Sequence, residues 1–415
     1  MSFPLLTAFG YIQRRIPHSM EATTQIHATA EDFAVPRKST VPFYLNVIVV
    51  ASLSIMIGLI WDISWHVSIG RDGLFSAPHL AIYLGGIVAG LFSGYRVLML
   101  TFAGSPQVKA ASVKFWGVFY GSLGNLFCIW GAIAMLTSAP FDDWWHNTYG
   151  LDVTILSPPH TVLLLGMITI QFGAIVSVLS YKNREFGKLD ARTQMRSNPL
   201  LALATGFILT MTFTMASEYL DRHDMHSVLF YQVSALLFPL LLVAFSVGSQ
   251  SKWGATQAAA VYTLFLMIMN WVLPLFPATP RLGPVLNPID AFQPFEFPLL
   301  LIFPAAIIDF ISYRSKSKHA WILSLRYGIL FTMIFLLVQW PFASVLMASK
   351  GNYFFGTSRW YFGSDPNWEY RYAFGPWMES SAADWAIGLP IALAISVLSA
   401  RVGVSWGRWM QKIVR

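Results

Sequence analysis

The chain has 415 residues, of which 55% are hydrophobic and 11% are charged. Soluble globular proteins carry about 25% charged residues, so the composition excludes an ordinary soluble protein and predicts a membrane protein. The net charge of +7 does not indicate nucleic-acid binding, because the basic residues lie in short loops between apolar runs, as the positive-inside rule describes.

The N-terminal residues 1–42 are mixed and polar, and they lack the pattern of a secretory signal peptide. Beyond them, long apolar runs alternate with polar connections, which predicts an all-α, polytopic transmembrane helix bundle. Crossing ~30 Å of hydrocarbon takes about 20 residues, and about ten runs approach this length. In chain order the predicted spans are 43–61, 80–102, 115–137, 160–181, 199–216, 228–248, 256–276, 297–313, 323–346 and 383–404.

Lysine and arginine residues are concentrated in alternate connections. Ten spans with both termini in the cytoplasm satisfy the positive-inside rule throughout. This arrangement divides the chain into a cytoplasmic segment (1–42), a four-span half (43–198) and a six-span half of unknown role (199–415). The single cysteine, Cys128, excludes disulfides, thiolate clusters and a CxxCH haem attachment within the chain. The predicted outer, non-cytoplasmic segments are 62–79, 138–159, 217–227, 277–296 and 347–382.

Two outer segments repeat one short motif: an Asp, a His four residues later, a Gly-x-Asp, and a Pro-His pair that opens the next span. We name these residues the first triad, Asp62, His66 and His79, and the second triad, Asp142, His146 and His160. The last His follows the middle one by 13 residues in the first triad and by 14 in the second. Matched spacing in two copies indicates an internal repeat.

Each triad has the chemistry of a metal site. An Asp and a His four residues apart on a helix point to the same face, and the last His closes a third side from the start of the next span. The result is a carboxylate and two imidazoles with open positions. Copper, iron and zinc all accept such ligands, and ligand type alone does not select among them. We predict that all six residues bind metal, with the first triad as first choice for the catalytic site.

Structural interpretations of the same residues stay open. A lone Asp-x3-His at a membrane edge is often a polar pair, a Pro-His pair is an ordinary helix start, and the neighbouring tryptophans fit an interfacial belt. Duplication of the motif, and the cost of ionisable residues near a membrane, favour metal binding. Arg71 and Asp72 are candidates for orienting an imidazole, or else form a solvated ion pair.

Two other outer segments carry weaker signals. His223 and His226 are three residues apart and could bind a metal, the alternative being a solvated polar turn. Segment 347–382 is rich in aromatic residues. It predicts either an interfacial cap over the bundle or a docking surface for a partner protein.

The stretch from Asp62 to His79 resembles the first metal site in the metal-binding subunit of the copper membrane monooxygenases, particulate methane monooxygenase and ammonia monooxygenase. In that family an Asp, a His four residues on and a His thirteen further bind a metal in the membrane, and the first triad matches in type and spacing. The second triad resembles the second copper site of the same family, with Asp142 in place of the family's Asn. The likeness covers about residues 45–180, and residues 199–415 have no counterpart in it.

The resemblance implies a copper-dependent monooxygenase subunit that oxidises a small apolar substrate with dioxygen, inside a hetero-oligomer of membrane subunits. We expect an integral protein of a bacterial or archaeal cytoplasmic membrane, surrounded by lipid, with its metal sites toward the outer side and no nucleic-acid partner. The alternatives are a non-catalytic copper-binding or assembly protein, a transporter, and a haem or quinol oxidoreductase. The last two fit less well, because haem ligands usually lie within facing helices and transporter sites lie near the membrane midplane.

Overall fold

The described residues, all from position 41 onward, form one compact unit built almost wholly from helices. A computed structural model describes residues 41–70, 73–150, 157–184, 191–281, 289–315, 319–347, 353–356 and 378–415. Within these ranges nine helices are long and apolar enough to cross a membrane. The predicted class, an all-α polytopic helix bundle, is confirmed.

The α-helices of the described ranges are α1 (Phe43–Ser68), α2 (Ala77–Ala103), α3 (Pro106–Ala110), α4 (Leu123–Tyr149), α5 (Pro158–Arg184), α6 (Ala191–Met215), α7 (Val228–Gly248), α8 (Gly254–Val272), α9 (Ile302–Arg314), α10 (Ala320–Leu346) and α11 (Ala382–Met410). Single 3-10 turns at Ser217–Tyr219, Arg222–Asp224 and Leu273–Leu275 connect or extend them.

The predicted third span, 115–137, begins too early and ends too early. In the structure, strands β1 (Val113–Phe115) and β2 (Phe119–Gly121) form an antiparallel hairpin, which Gly117 closes with a left-handed φ of 72°. Helix α4 starts only after this hairpin and continues to Tyr149. Hydropathy cannot separate an aromatic hairpin from the start of a span, because both are apolar.

Helices α1 and α4 both continue beyond the predicted ends of their spans, which were residues 61 and 137. Hydropathy marks the length that contacts lipid, whereas backbone hydrogen bonds carry a helix into the polar region beyond it. The extensions place the first two residues of each triad on regular helix. The prediction that Asp and His share one helix face therefore has the local structure it requires.

Helix packing brings the two triads to the same end of the bundle. Helix α1 packs on α2 and α4 packs on α5, and α2 packs on α4 between the two pairs. Helices α4 and α5 cross closely, since a Cβ on Gly131 would lie 2.6 Å from the carbonyl oxygen of Gly166. Helices α2 and α4 run antiparallel, because Gly86 faces Met135 and Gly90 faces Ala132.

The eighth predicted span, 297–313, is only partly helical. Helix α9 has 13 residues, and the chain from 292 to 300 before it has no regular secondary structure. We name residues 292–301 the extended segment. Its side chains Phe297, Leu299 and Leu301 are buried in the core. Irregular backbone is tolerated at membrane depth when protein surrounds it, so the burial explains how the segment replaces helical turns.

Side chains of neighbouring helices satisfy the backbone of this extended segment. Ser64 Oγ donates to the carbonyl oxygen of Gln293 at 2.5 Å, and the Gln293 N–H donates to Ser68 Oγ at 2.8 Å. The N–H of Leu299 donates to the hydroxyl of Tyr262 at 2.9 Å. The two serines belong to α1, so the six-span half is hydrogen-bonded to the helix that carries Asp62.

Candidate metal centre

The first triad lies where α1 ends and α2 begins. Asp62 and His66 are one turn apart near the end of α1, with 3.8 Å between Asp62 Oδ2 and His66 Nε2. His79 lies in the first turn of α2, after Pro78, and its Nε2 is 3.4 Å from Asp62 Oδ1. The structure therefore brings together all three residues that the spacing predicted.

The second triad has the same construction at the junction of α4 and α5. Asp142 Oδ1 lies 3.5 Å from His146 Nε2, one turn along α4, and 3.2 Å from His160 Nε2 in the first turn of α5. One ligand atom from each of the three residues can be chosen so that all lie within 4.8 Å of one another. This arrangement is a candidate metal-binding triad.

A backbone carbonyl orients one imidazole in each triad. Nδ1 of His79 lies 3.1 Å from the oxygen of Gly73, and Nδ1 of His146 lies 3.2 Å from the oxygen of Gly150. A carbonyl oxygen only accepts, so Nδ1 must carry the hydrogen, and in the neutral ring the lone pair is then on Nε2. Such a carbonyl partner is typical of the imidazoles that bind metals.

The lone pair on Nε2 faces a carboxylate oxygen, which is also an acceptor. Two acceptors this close require a cation between them, either a proton or a metal ion. A hydrogen bond between them would typically measure about 2.7–3.2 Å. Two ligands on one metal, each about 2.1 Å from it at roughly tetrahedral or right angles, lie about 3.0–3.4 Å apart. Three of the four carboxylate–imidazole distances, 3.4 Å in the first triad and 3.2 and 3.5 Å in the second, lie within or close to that spacing. The 3.2 Å distance also fits a hydrogen bond, and the fourth distance, 3.8 Å between Asp62 and His66, exceeds both ranges.

The donor set of the second triad fits a divalent transition metal. It offers one carboxylate and two imidazoles, which suit copper, iron or zinc, and the geometry selects none of the three. The side chains of His66 and His160 are 44% and 31% exposed, so one imidazole of each triad is reachable from outside the bundle.

The weaker candidates are placed differently. Arg71 and Asp72 lie outside the described residues. His223 Nδ1 contacts Asp221 Oδ1, whereas His226 Nε2 lies 3.0 Å from the carbonyl oxygen of Trp340, whose ring is 4.3 Å from the imidazole, centroid to centroid. The two imidazoles thus have separate partners, and their metal binding stays a prediction.

A buried ion pair lies beside His223. Arg222 Nη2 is 3.3 Å from Glu296 Oε1, and both side chains are largely buried. Burial raises the pKa of the Glu296 carboxyl to about 7; the Arg222 guanidinium acts in the opposite direction, and the neighbouring Asp221 carboxylate raises the pKa further. Glu296 immediately precedes the predicted eighth span, 297–313, so this titratable group belongs to the outer end of the bundle.

Sequence reasoning missed three contributions to this end of the bundle. The carbonyls of Gly73 and Gly150 have no sequence signature beyond their glycines, one in each connection between paired helices. The pairing of Arg222 with Glu296 joins two outer segments that are distant in sequence. The sequence signal for this pair was the isolated carboxylate of Glu296 beside a predicted span, because a charged group near the membrane requires a partner.

Comparison with known proteins identified no relative: no protein-family model, curated protein or solved structure matches the chain. Fold and site together define the class. The chain is an integral membrane protein with an all-α, polytopic architecture and a candidate Asp/His/His metal-binding triad.

Proposed function

We propose that the chain is a membrane subunit of a copper-dependent monooxygenase, which uses dioxygen to oxidise a small apolar substrate. The observation that carries the proposal is the duplicated site: twice, a carboxylate near the end of one helix faces two imidazole Nε2 atoms, one on the same helix and one at the start of the next. The resemblance to the metal-binding subunit of the copper membrane monooxygenases supports copper and the reaction class. It also supports partner subunits in a hetero-oligomer.

The residues of the chain would bind and orient the metal. Bound copper would supply the redox chemistry that activates dioxygen. Asp142 supplies a negative charge where the family has a neutral amide, which strengthens cation binding. The carbonyl of Gly150 keeps the hydrogen on Nδ1 of His146, so that Nε2 keeps its lone pair for the metal.

The position of α2 suits an apolar substrate. Leu80 and Leu84 follow His79 on this helix, and they are 50% and 57% exposed on the outside of the bundle. In a membrane this surface contacts lipid acyl chains, because apolar helix faces are covered by the bilayer. A small apolar molecule dissolved in the bilayer would therefore come close to His79 from the lipid side.

Substrate-dependent oxygen uptake by the purified native complex tests the proposal. We expect uptake with small hydrocarbons as substrates, and we expect it to be lost in His79→Ala and His160→Ala. His319→Ala is the matched control, because it removes an exposed imidazole at the start of α10. Full activity in both triad variants would refute a monooxygenase that depends on these residues.

A second function, a non-catalytic copper carrier or assembly protein, is favoured by the exposure of His66 and His160. A carrier needs ligands that an external partner can reach, whereas an oxygenase needs a protected metal. A carrier would transfer copper to an apo acceptor without consuming oxygen in the presence of any substrate. The same oxygen-uptake measurement, made beside a copper-transfer assay, therefore separates the two functions.

A further inference from the structure

A cavity of about 280 Å³ opens between the end of α9 and the connection before α8. It is lined by Lys252, Trp253, Asp309, Phe310, Tyr313 and Arg314. Two of these residues are cations and three are aromatic. Neither the proposed metal site nor the packing of the bundle accounts for this combination.

The two cations are held against aromatic rings and not against acids. Lys252 Nζ lies 4.7 Å from the ring centroid of Tyr313 and 5.6 Å from that of Trp253. The guanidinium of Arg314 lies 5.4 Å from the ring of Phe310. In the part of the chain that the structure describes, neither cation forms an ion pair with a carboxylate. Both charges are therefore available to an anion.

The one carboxylate in the cavity is already occupied. Asp309 Oδ2 accepts hydrogen bonds from the N–H and the hydroxyl of Thr256, at 2.8 and 2.7 Å, and Oδ1 accepts from the N–H of Ala255 at 3.3 Å. The side chain thus caps the N-terminus of α8, where the helix dipole offsets a negative charge. Asp309 forms no ion pair with Lys252 or Arg314, and these hydrogen bonds and the helix N-terminus offset its charge.

The cavity lies at the opposite end of the bundle from the triads. Lys182 Nζ donates to the carbonyl oxygen of Ser249 at 3.2 Å, three residues before Lys252. His160 lies 22 residues earlier on the same helix, which is about 33 Å at 1.5 Å per residue. The cavity is therefore at a membrane surface and not at the membrane midplane.

We propose that this cavity binds the headgroup of an anionic phospholipid. The phosphate would contact Lys252 and Arg314. The rings of Phe310 and Tyr313, 49% and 64% exposed on the side of the bundle, would pack against the glycerol and the first acyl carbons. Aromatic residues prefer this level of a membrane, and basic pockets beside transmembrane helices are typical lipid headgroup sites. The aromatic lining distinguishes a lipid from free phosphate, which has no apolar part to bury.

Native mass spectrometry of the purified, detergent-solubilised protein tests the proposal. The probes are phosphatidylglycerol and phosphatidylcholine with identical acyl chains, and inorganic phosphate as a competitor. The test variant is Lys252→Ala/Arg314→Ala. The matched control is Lys109→Ala/Lys114→Ala, which removes the same charge from two lysines that also lie over an aromatic ring, that of Tyr120.

We expect one phosphatidylglycerol to bind tightly and to resist displacement by phosphate. The test variant should bind it about thirtyfold more weakly, since each cation near a membrane surface contributes about fivefold. The control variant and the charge-preserving Lys252→Arg/Arg314→Lys should bind like the wild type. An equal loss in the control, equal affinity for phosphatidylcholine, or displacement by phosphate would each overturn the proposal.

Discussion

Gly150 ends helix α4 in a left-handed conformation and supplies a carbonyl oxygen to the second triad. Both features depend on its having no side chain. It follows the last residue of α4 with a φ of 91°, a region that residues with a Cβ rarely adopt, and nothing lies within 4 Å of where a Cβ would be. In this conformation its carbonyl oxygen meets Nδ1 of His146. A substitution here would change the backbone without a steric clash, so its effect reports on the carbonyl.

Gly150→Ala should weaken metal binding at the second triad by about tenfold, because a carbonyl that orients a metal-binding imidazole contributes at least this much. A competition titration with a chelator of known affinity measures the effect. Gly117→Ala is the control, since Gly117 also has a left-handed φ and open space around it but lies in the hairpin far from the triad. Equal metal affinity in both variants would show that the Gly150 carbonyl does not orient His146.

Glu296 should make stability depend on pH near neutrality. Burial raises the pKa of its carboxyl from the ordinary 4.5 to about 7 in the folded protein. A raised pKa favours the protonated folded state, so the contribution of this carboxyl to stability is largest below pH 4.5 and is lost as the pH rises through about 7. The shift corresponds to about 3 kcal/mol. Arg222, Asp221 and His223 are the neighbouring groups that act on the carboxyl.

Thermal unfolding at pH 5 and pH 8 tests this dependence. We expect the drop in the unfolding temperature between the two pH values to be smaller in Glu296→Gln than in the wild type. Glu218→Gln, at an exposed position on a neighbouring 3-10 turn, should keep the wild-type drop. An unchanged drop in Glu296→Gln would contradict the raised pKa.

Among the secondary-structure elements, the extended segment exchanges helical hydrogen bonds for bonds to side chains. Ser64 and Ser68 supply a donor and an acceptor to Gln293, and both serines are buried. A buried backbone group that loses its partner costs about 1–3 kcal/mol. The bonds therefore stabilise the break, and they also connect the extended segment to the helix that carries the first triad.

The double variant Ser64→Ala/Ser68→Ala should lower the free energy of unfolding by about 2–6 kcal/mol, since it leaves both backbone groups of Gln293 unpaired. Chemical denaturation in detergent measures the loss. Ser52→Ala is the control, because its hydroxyl donates within α1 to the carbonyl of Ile48, which the helix already satisfies. If the double variant costs no more than this control, the serines do not stabilise the extended segment.

For the bundle as a whole, the bilayer made most of the architecture predictable. Spans must be apolar and hydrogen-bonded within themselves, so hydropathy alone identified the bundle. The prediction of spans from hydropathy was wrong where groups outside a helix satisfy the backbone hydrogen bonds. In the extended segment serine and tyrosine side chains provide these bonds, and at residues 113–121 the two strands of a hairpin provide them. Neither arrangement changes the hydropathy of the sequence.

The candidate site was predictable for a different reason. Helix geometry relates Asp62 to His66, and Asp142 to His146, through a fixed spacing of four residues, so sequence alone placed these pairs on one face. The Gly150 carbonyl and the Arg222–Glu296 pair depend on how connections fold and on contacts between distant segments. No periodic pattern encodes such contacts, and only a three-dimensional structure reveals them.

Copper binding by the duplicated triads is the property on which the proposed function depends. Elemental analysis of the purified native complex, beside His146→Ala/His160→Ala and the control His319→Ala, tests it most directly. We predict copper at about one ion per chain or more, lowered in the double variant and unchanged in the control. Iron or zinc in its place would contradict the assignment to copper, and equal metal in the double variant and the wild type would contradict the second triad as a metal site.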